Sequence, residues 1–415
     1  MTVFTPEWRV KVNGSTVTST TLANLFISAG RQSIYEQPAA SYCNVNLLTT
    51  PASAVTFDLN DTITIEVKDT SGTYVNLFGG FISDVNVVVT SPGSTQIMQE
   101  VRLTAVGALS RLVRANFTGN LSSDQDGDQI YALLQNVLLN AWNEVPASLT
   151  WQNYEATTTW ENAENTGLGE IDRPGDYELE AQNNLNGSVY QYAAGVATSG
   201  LGYLYEDSQG RIAYADSTHR AQAFAANGYI DLDANQAYGA GLEITKRAGD
   251  VRNKITIVYG SSGNASTTNS DAESIGFYGE LGSTITTTIK NQADAESQAA
   301  FYLTLRAFPQ YEFKRISYPL TNPEMDNTDR DALLGVNMGL AVNIENLPIN
   351  MNNGSFQGFV EGWTWRAGVS SLTLEMIVSP LSYSLQAFRW ENVPISETWN
   401  TITPTLTWEN ATIVT

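Results

Sequence analysis

The 415-residue sequence contains one cysteine, Cys43, and one histidine, His219. A single cysteine excludes an internal disulfide, so packing and hydrogen bonds must hold the fold together. One histidine and one cysteine cannot form a zinc site unless carboxylates complete the ligand set. Because Cys43 has no histidine near it in the sequence, we predict that it is a small core residue.

Positive charge is also scarce in this chain. Only 21 Lys and Arg stand against 43 Asp and Glu, so the formal net charge is −22 and the pI is near 4.3. A surface this acidic repels nucleic acid and anionic membranes, and no basic run or glycine-rich phosphate loop offsets it. Such a surface does suit a passage through which DNA must slide without sticking.

Long apolar runs are missing as well. No stretch approaches the roughly 20 residues of a membrane span. The N-terminal sequence MTVFTPEWRV lacks the basic segment and apolar run of a signal peptide. We therefore expect a chain that is made in the cytosol and does not insert into a membrane.

The sequence is instead rich in residues that favour strands and turns. Hydrophobic residues make up 42% of the chain and charged residues only 15%, so Thr, Ser, Asn and Gln supply most of its polarity. This composition favours a mainly β fold. Alternating apolar and polar residues predict strands in the first and last thirds, whereas DQDGDQIYALLQNVLLNAWN and SVYQYAAGVATSG have helical spacing. The predicted units are a β domain over 1–116, an α+β domain of helices plus a hairpin over 117–240, a second β domain over 241–385 and a C-terminal extension over 386–415.

The two β regions share an order of motifs. In the first, NDTITIEV precedes GGFISDV and VRLTAVGALS; in the second, GVNMGLAVNI precedes QGFVEGW and LTLEMIVSPLS. This match aligns Gly80 and Phe81 with Gly358 and Phe359 as markers of the entry into a hairpin. We interpret it as a duplication that gives one chain two copies of a β-barrel. Three such chains would present six barrels and dock onto a six-fold tube.

A longer series of motifs resembles a known family. VRNKITIVYG, SIGFYGELGSTITTTIKNQADAESQAAFYLTLRAF and GFVEGWTWRAGVSSLTLEMIVSP follow one another in this order. The order is similar to that of tail hub proteins of long-tailed bacteriophages, often labelled minor tail proteins, and of the baseplate hub of contractile-tailed phages. The resemblance is clearest over 241–385, extends over 7–240 by layout only, and is absent after about 386.

The resemblance implies a fold and a role. The fold is mainly β with an α+β insert, with two tail-tube-like β-barrels per chain that form a pseudo-hexameric ring as a trimer. The role is that of a structural virion protein at the tail tip, which is not an enzyme and needs no cofactor or metal. The implied partners are two further copies of the chain, the distal tail or tail tube protein, the tape measure protein and a central fibre or receptor-binding protein. Genome DNA would pass through the channel without specific binding.

Tryptophans recur at a fixed spacing in two places. Trp390, Trp399 and Trp408 lie nine residues apart, and Trp151 and Trp160 repeat that spacing. Tryptophan is enriched at interface hot spots, so we expect a C-terminal arm that docks its rings into a neighbouring tail protein. The alternative is a C-terminal strand pair packed on its own domain.

Catalytic and metal sites find little support in the sequence. Asp216, Ser217 and His219 are adjacent, whereas the members of a catalytic triad usually converge from separate loops, so we predict that His219 is a turn or surface residue. DQDGDQ, from Asp124 to Gln129, resembles a fragment of a calcium loop, but the twelfth position is Gln135 instead of the required glutamate. Capping of the following helix explains these aspartates better.

Two other functions remain open from the sequence. The Trp, Tyr and Asn content also suits a carbohydrate-binding adhesin or receptor-binding tail protein, in which aromatic rings stack on sugars. A cell-wall hydrolase is a weaker alternative, because two acids must face each other across a cleft at a fixed separation. The sequence pairs many acids by chance, since it contains 43 of them.

Overall fold

The computed structural model describes residues 4–49, 57–91, 98–136, 151–153, 169–237, 242–260, 263 and 265–381. The first third is built mainly of strands, with one short helix, α1 (Leu109–Arg114). Its strands are β1 (Trp8–Val12), β2 (Ser15–Thr16), β3 (Thr20–Gly30), β4 (Tyr42–Thr49), β5 (Thr62–Lys68), β6 (Tyr74–Ser91) and β7 (Met98–Val106).

The middle of the chain mixes helices and short strands, as the helical spacing of its apolar residues predicts. Its helices are α2 (Asp126–Asn136), α3 (Val189–Ser199) and α4 (His219–Asn227). Its strands are β8 (Asn116–Leu121), β9 (Asp124–Gln125), β10 (Trp151–Asn153), β11 (Gly169–Ile171), β12 (Glu178–Leu179), β13 (Gln182–Ser188), β14 (Tyr203–Glu206), β15 (Ile212–Ala215) and β16 (Ile230–Asp233).

Strands dominate again in the last third, together with three helices. The helices are α5 (Ala272–Tyr278), α6 (Gln292–Arg306) and α7 (Asn327–Leu334). The strands are β17 (Glu243–Thr245), β18 (Lys254–Tyr259), β19 (Ala265–Ser270), β20 (Gly282–Thr286), β21 (Glu312–Pro319), β22 (Ala341–Glu345), β23 (Phe356–Gly368) and β24 (Leu372–Pro380).

One 13-stranded sheet unites the two β regions. Its main path runs β17-β21-β24-β23-β3-β4-β7-β6-β5-β1-β2, while β22 pairs with the first part of β23 and β16 lies beside β22. All pairs are antiparallel except β16 with β22. The strand that opens the hairpin of the second region, β23, is hydrogen-bonded directly to β3 of the first. The mainly β fold predicted from the alternating sequence is therefore confirmed.

The strand order of the first β region is repeated in the second, and we call the two regions the first copy and the second copy. The path β5-β6-β7-β4-β3 has its counterpart in β22-β23-β24-β21-β17. Phe81 lies where β6 faces both β5 and β7, opposite Thr62 and Val106. Phe359 lies at the same point of β23, opposite Ala341 and Ser379. The two phenylalanines thus hold equivalent places in two sheets of like topology.

Local irregularities repeat along with the strand order. The ladder of β6 with β7 shifts register between Ile82 and Asp84, and that of β23 with β24 shifts between Val360 and Gly362. In each copy the bulged residue is the second after the phenylalanine. A β-bulge bends its strand and is seldom placed by chance, so its recurrence supports a duplicated unit.

A glycine precedes each of these phenylalanines for the same steric reason. A Cβ on Gly80 would run into the backbone oxygen of Val106, and one on Gly358 into that of Ser379. Val106 and Ser379 are themselves equivalent, because each faces the phenylalanine of its copy. Only glycine allows the two backbones to approach this closely.

Thirteen strands, drawn from the two β regions and including β16, form one open sheet. Among residues with described positions, the hydrogen-bonded ladders close neither copy into a ring of its own. The physical reason is that the free edge of β23 is hydrogen-bonded to β3, so the two copies join edge to edge in one sheet. Two closed barrels per chain therefore stay a prediction.

The described residues form two hydrophobic cores. The first lies on the large sheet and takes buried residues from both copies. The second gathers apolar side chains of α2 and α3 together with Ile255, Ile257, Ala295 and Ala299 from β18 and α6. The hairpin of β14 and β15 is buried on both faces, with Tyr203 in the first core and Leu204 in the second. The second core thus draws residues from both sides of the predicted boundary at 240.

Candidate docking surfaces and the buried ionic joint

A buried carboxylate, Glu361, occupies the bulge of β23. It accepts hydrogen bonds from Arg31 Nε (2.7 Å), Arg220 Nη1 (2.7 Å) and Nη2 (2.8 Å), and Ser379 Oγ (2.5 Å). Glu361 is 1% exposed, and both arginine side chains are 6% exposed. Arg31 follows β3 of the first copy, and Arg220 belongs to α4 of the insert. One carboxylate therefore ties together the two β copies and the α+β insert.

The electrostatics of this joint favour the charged form of the acid. Burial opposes ionisation, but Arg220 and Arg31 outweigh it and hold the pKa of Glu361 well below its ordinary value. The ring of Tyr203 lies 5.1 Å from the Arg31 guanidinium and 4.9 Å from that of Arg220. These cation–π contacts fix the planes of both guanidinium groups beside the carboxylate.

Glu361 was not among the residues predicted from the sequence to form a site. The usable signal is its place in FVEGW, where an acid stands between apolar residues at a point that strand alternation leaves buried. A buried charge requires a partner. Sequence alone does not tell which of 21 basic residues supplies it, because Arg31 lies 330 positions away.

A second polar cluster lies inside the insert. Asp126, at 0% exposure, accepts hydrogen bonds from the backbone N–H groups of Asp176 and Tyr177 (both 2.8 Å) and from the Tyr214 hydroxyl. Burial raises the pKa of Asp126 to about 7, although the Tyr214 hydrogen bond opposes the rise. These bonds tie the start of α2 to the loop before β12 and to the central hairpin.

His219 belongs to the interior, so the prediction of a surface position is wrong. Its ring is 4% exposed and lies between the rings of Tyr203 and Tyr205, at 6.2 and 6.0 Å. His219 Nδ1 is 2.7 Å from Asp172 Oδ2. The start of α4 packs against the hairpin of β14 and β15, and this tertiary contact buries the ring. Ser217, the other predicted neighbour, donates its hydroxyl to Asp176 Oδ2 at 2.6 Å.

The aspartates of DQDGDQ are engaged within the protein. Asp126 anchors the loop described above, and Asp128 Oδ1 accepts a hydrogen bond from Arg173 Nε at 2.6 Å. Asp126 and Asp128 both lie in the first turn of α2, where a negative charge interacts favourably with the helix dipole. Within the described ranges, no cluster of three or more His, Cys, Asp or Glu side chains is placed to hold a metal ion.

The tryptophans predicted to dock on other proteins are not placed by the structure. Trp160, Trp390, Trp399 and Trp408 fall outside the described residues. Trp151 begins β10, and its side chain is outside the described part of the molecule. Their role as docking residues stays a prediction. Cys43, in contrast, is 0% exposed in β4, which confirms its assignment to the core.

A group of exposed aromatic rings, not predicted from the sequence, lies at the end of α5. Phe277 is 79% exposed at the end of α5, and its ring centroid lies 5.0 Å from that of Tyr278. Tyr278 in turn meets Phe308 edge to face at 6.4 Å. An apolar ring this exposed marks a candidate contact surface.

The far half of β6 presents a second candidate surface. Val87 and Val89 are 55% and 51% exposed. Their equivalents in the second copy, Trp365 and Ala367, are 1% and 5% exposed. The same face of the same strand is therefore covered in one copy and open in the other.

Every helix in the described ranges falls short of the length and apolarity needed to cross a bilayer.

Comparisons with known proteins concern the fold alone. No protein-family model and no curated protein sequence matches the chain. Among solved structures, the tail protein from Neisseria meningitidis MC58 is similar with a TM-score of 0.58 and 12% identity, over 92% of this chain and 98% of that one. The 43 kDa tail protein of prophage MuSo2 from Shewanella oneidensis is similar with a TM-score of 0.55 and 12% identity, over 91% and 99%. The resemblance drawn from the sequence is confirmed at this level: the chain has the fold of phage tail proteins.

Proposed function

We propose that this chain is a structural protein of a phage tail: a homotrimeric hub at the distal end that adapts the six-fold tube to a three-fold tip. The observation that carries the proposal is the repeated strand order, with equivalent bulges and equivalent Gly-Phe pairs in the two copies. It is supported by similarity of fold to two tail proteins over almost their full length.

The proposed mechanism is geometric. Each chain supplies two tube-like β units, so three chains give six units around one axis and match a six-fold partner. Pairing of strand edges within and between chains removes edges that would otherwise aggregate. The buried joint at Glu361 keeps the two units of a chain at a fixed angle. The insert and the C-terminal extension are left for contacts away from the ring.

The proposed partners follow from that position. They are the distal tail or tail tube protein, the tape measure protein and a central fibre or receptor-binding protein, with the virion tail tip as the location. Genome DNA would pass through the central channel. With a net charge of −22, the hub would repel phosphate groups, so DNA would slide without adhering. A channel wall on which basic side chains outnumber acidic ones would contradict the proposal that DNA slides without adhering.

The oligomeric state of the purified protein tests the proposal. We expect native mass spectrometry to show three times the chain mass of 45.2 kDa. Electron microscopy of the same sample should show a ring with six similar lobes. A stable monomer or a dimer would contradict the hub, whatever the fold of the single chain.

A second candidate function rests on the exposed aromatic rings. Phe277 and Phe308 offer planar apolar surfaces of the kind that stack on sugars. If the chain is a carbohydrate-binding tail protein, glycan binding should be measurable with the purified protein. Phe277→Ala should abolish that binding, whereas Val113→Ala, at a 54% exposed position on α1, should leave it intact.

A further inference from the structure

We propose that the outer edge of β6, from Asp84 to Val89, pairs with β17 of a second copy of this chain. The inference rests on the proposed homotrimer and names the strands that close it. It follows from the internal repeat, because the first copy lacks on this edge a strand that the second copy has.

Within the described residues, no strand of the same chain pairs with this edge. β5 covers β6 only as far as Phe81. Two further backbone bonds reach Ile82: Asn60 N–H donates to Ile82 O at 2.8 Å, and Ile82 N–H donates to Asp61 O at 2.9 Å. Beyond Ile82, the pairing within the described residues is with β7, on the opposite edge. In the second copy, the equivalent edge of β23 is covered by β3 over Gly362–Gly368.

Burial shows what the missing strand would cover. The residues of β23 that correspond to Val85, Val87 and Val89 are Trp363, Trp365 and Ala367. In the pairing of β23 with β3, Trp365 lies opposite Ile27 and Ala367 lies opposite Leu25. Trp365 is 1% exposed, whereas Val87 is 55% exposed. Two valines exposed by more than half on an open strand edge form a ready template for another chain.

The strand equivalent to β3 is β17. Ile27 of β3 faces Cys43, which faces Ala105 of β7. Ile244 of β17 faces Phe313, which faces Val378 of β24. Ala105 and Val378 are equivalent, because each faces the residue after the phenylalanine of its copy. Ile244 is thus the counterpart of Ile27.

β17 also ends the path of the large sheet. Among the described strands it pairs with β21 alone, so its other edge is open. In the first copy, the corresponding edge of β3 is the one that receives β23. Each chain therefore has, among its described strands, two different unpaired edges, on β6 and on β17, that can pair with neighbouring chains. A closed head-to-tail ring requires two such complementary edges on each chain.

The register of the proposed pair between chains follows from the register of β23 with β3 inside one chain. There Trp365 faces Ile27 and Thr364 faces Ser28. The equivalent pairs between chains are Val87 with Ile244 and Asn86 with Thr245. In each pair, the β6 residue belongs to one protomer and the β17 residue to its neighbour.

Charge supports this register. Extending it along the strands brings Asp84 of one protomer opposite Arg247 of the next. The backbone of Arg247, two residues after β17, is extended, with φ −124° and ψ 130°. Opposite charges across a strand pair are favourable, and a slip by one residue would bring Asp84 opposite Lys246 while reversing every side chain.

A disulfide between chains tests the pairing. Arg31 N–H donates to Glu361 O at 2.9 Å, so the Thr364–Ser28 pair falls at a non-hydrogen-bonded site. The equivalent pair, Asn86 and Thr245, should have its Cα atoms about 4.5 Å apart, which suits a disulfide. The full-length Asn86→Cys/Thr245→Cys variant should form covalent trimers on mild oxidation.

A matched variant controls for chance collisions. Val87→Cys/Thr245→Cys puts the two thiols on opposite faces of the paired strands and should cross-link at least tenfold less. Cys43, at 0% exposure, adds no background. Non-reducing electrophoresis gives the yield, and native mass spectrometry of the unmodified protein gives the oligomeric state.

The outcomes separate this inference from the proposed function. Covalent trimers from the first variant but not the second support the pairing. A wild-type trimer whose first variant does not cross-link overturns the pairing and leaves the hub standing. Equal cross-linking of both variants overturns the register. A wild-type monomer without cross-links overturns both proposals.

Discussion

The substitution Glu361→Gln tests the buried ionic joint most directly. Glutamine keeps the shape of the side chain and removes its charge, so Arg31 and Arg220 would stay buried, at 6% exposure each, without a counter-ion. Removing one partner of a buried ion pair costs about 3–5 kcal/mol, because the remaining charge is left uncompensated. Glutamine can still accept hydrogen bonds, which places the expected loss near the lower end, at about 3 kcal/mol.

Thermal unfolding is a suitable assay for this loss. For a cooperative unit of about 150–250 residues, each 1 kcal/mol lowers Tm by roughly 2–4 °C, so we expect a fall of about 6–12 °C. Trp363 and Trp365 lie in the same strand as Glu361, and tryptophan fluorescence therefore reports on this region. The control is Glu324→Gln, since that glutamate is exposed and such surface changes usually stay within about 0.5 kcal/mol.

The pH dependence gives the joint a signature of its own. Because the pKa of folded Glu361 lies below the ordinary value of 4.5, its stabilisation is complete above that pH and is lost as the pH falls toward the folded pKa. The difference in Tm between wild type and Glu361→Gln should be constant above about pH 5 and shrink in more acidic buffer. A difference of less than about 1 kcal/mol at pH 7 would refute the reasoning, since the arginines would then need no counter-ion.

Three other changes have defined outcomes. Gly358→Ala should destabilise by about 1–3 kcal/mol in urea unfolding because its Cβ meets the facing backbone oxygen, whereas Gly195→Ala, in open space within α3, should stabilise by up to about 1 kcal/mol; equal effects would contradict the steric argument. Between its ordinary pKa of 3.8 and its folded value of about 7, Asp126 keeps a proton only in the folded state, so stability should fall as the pH rises, by at most about 1.4 kcal/mol per unit. Asp126→Asn should flatten this slope in unfolding midpoints measured from pH 4 to 8, and an unchanged slope would assign it to another group. In the proposed ring, Asp84→Lys should weaken the trimer, and adding Arg247→Asp should restore it in sedimentation velocity runs; failure of the double variant to recover would argue against that register.

Much of the local structure follows from the sequence. Strand alternation, helical spacing and turn residues act over a few positions, so they predict the strands of both β regions and the helices at 126–136 and 189–199. The equivalence of Phe81 and Phe359 was also visible as a repeated motif, because a duplicated unit keeps the glycine that its tight backbone contact requires. The acidic composition excluded several classes of partner without any structure.

What the sequence left undecided depends on contacts between distant segments. A strand edge accepts any partner of suitable register, so alternation does not reveal that β23 joins β3 or that the far half of β6 stays open. The interior position of His219 depends on a hairpin that is buried on both faces, and such burial is a property of neighbours. The composition fixed the class of fold and the sign of the surface charge, since those sum over residues. Only the tertiary structure decided which arginines neutralise Glu361, because charges attract according to distance in space, whatever their separation along the chain.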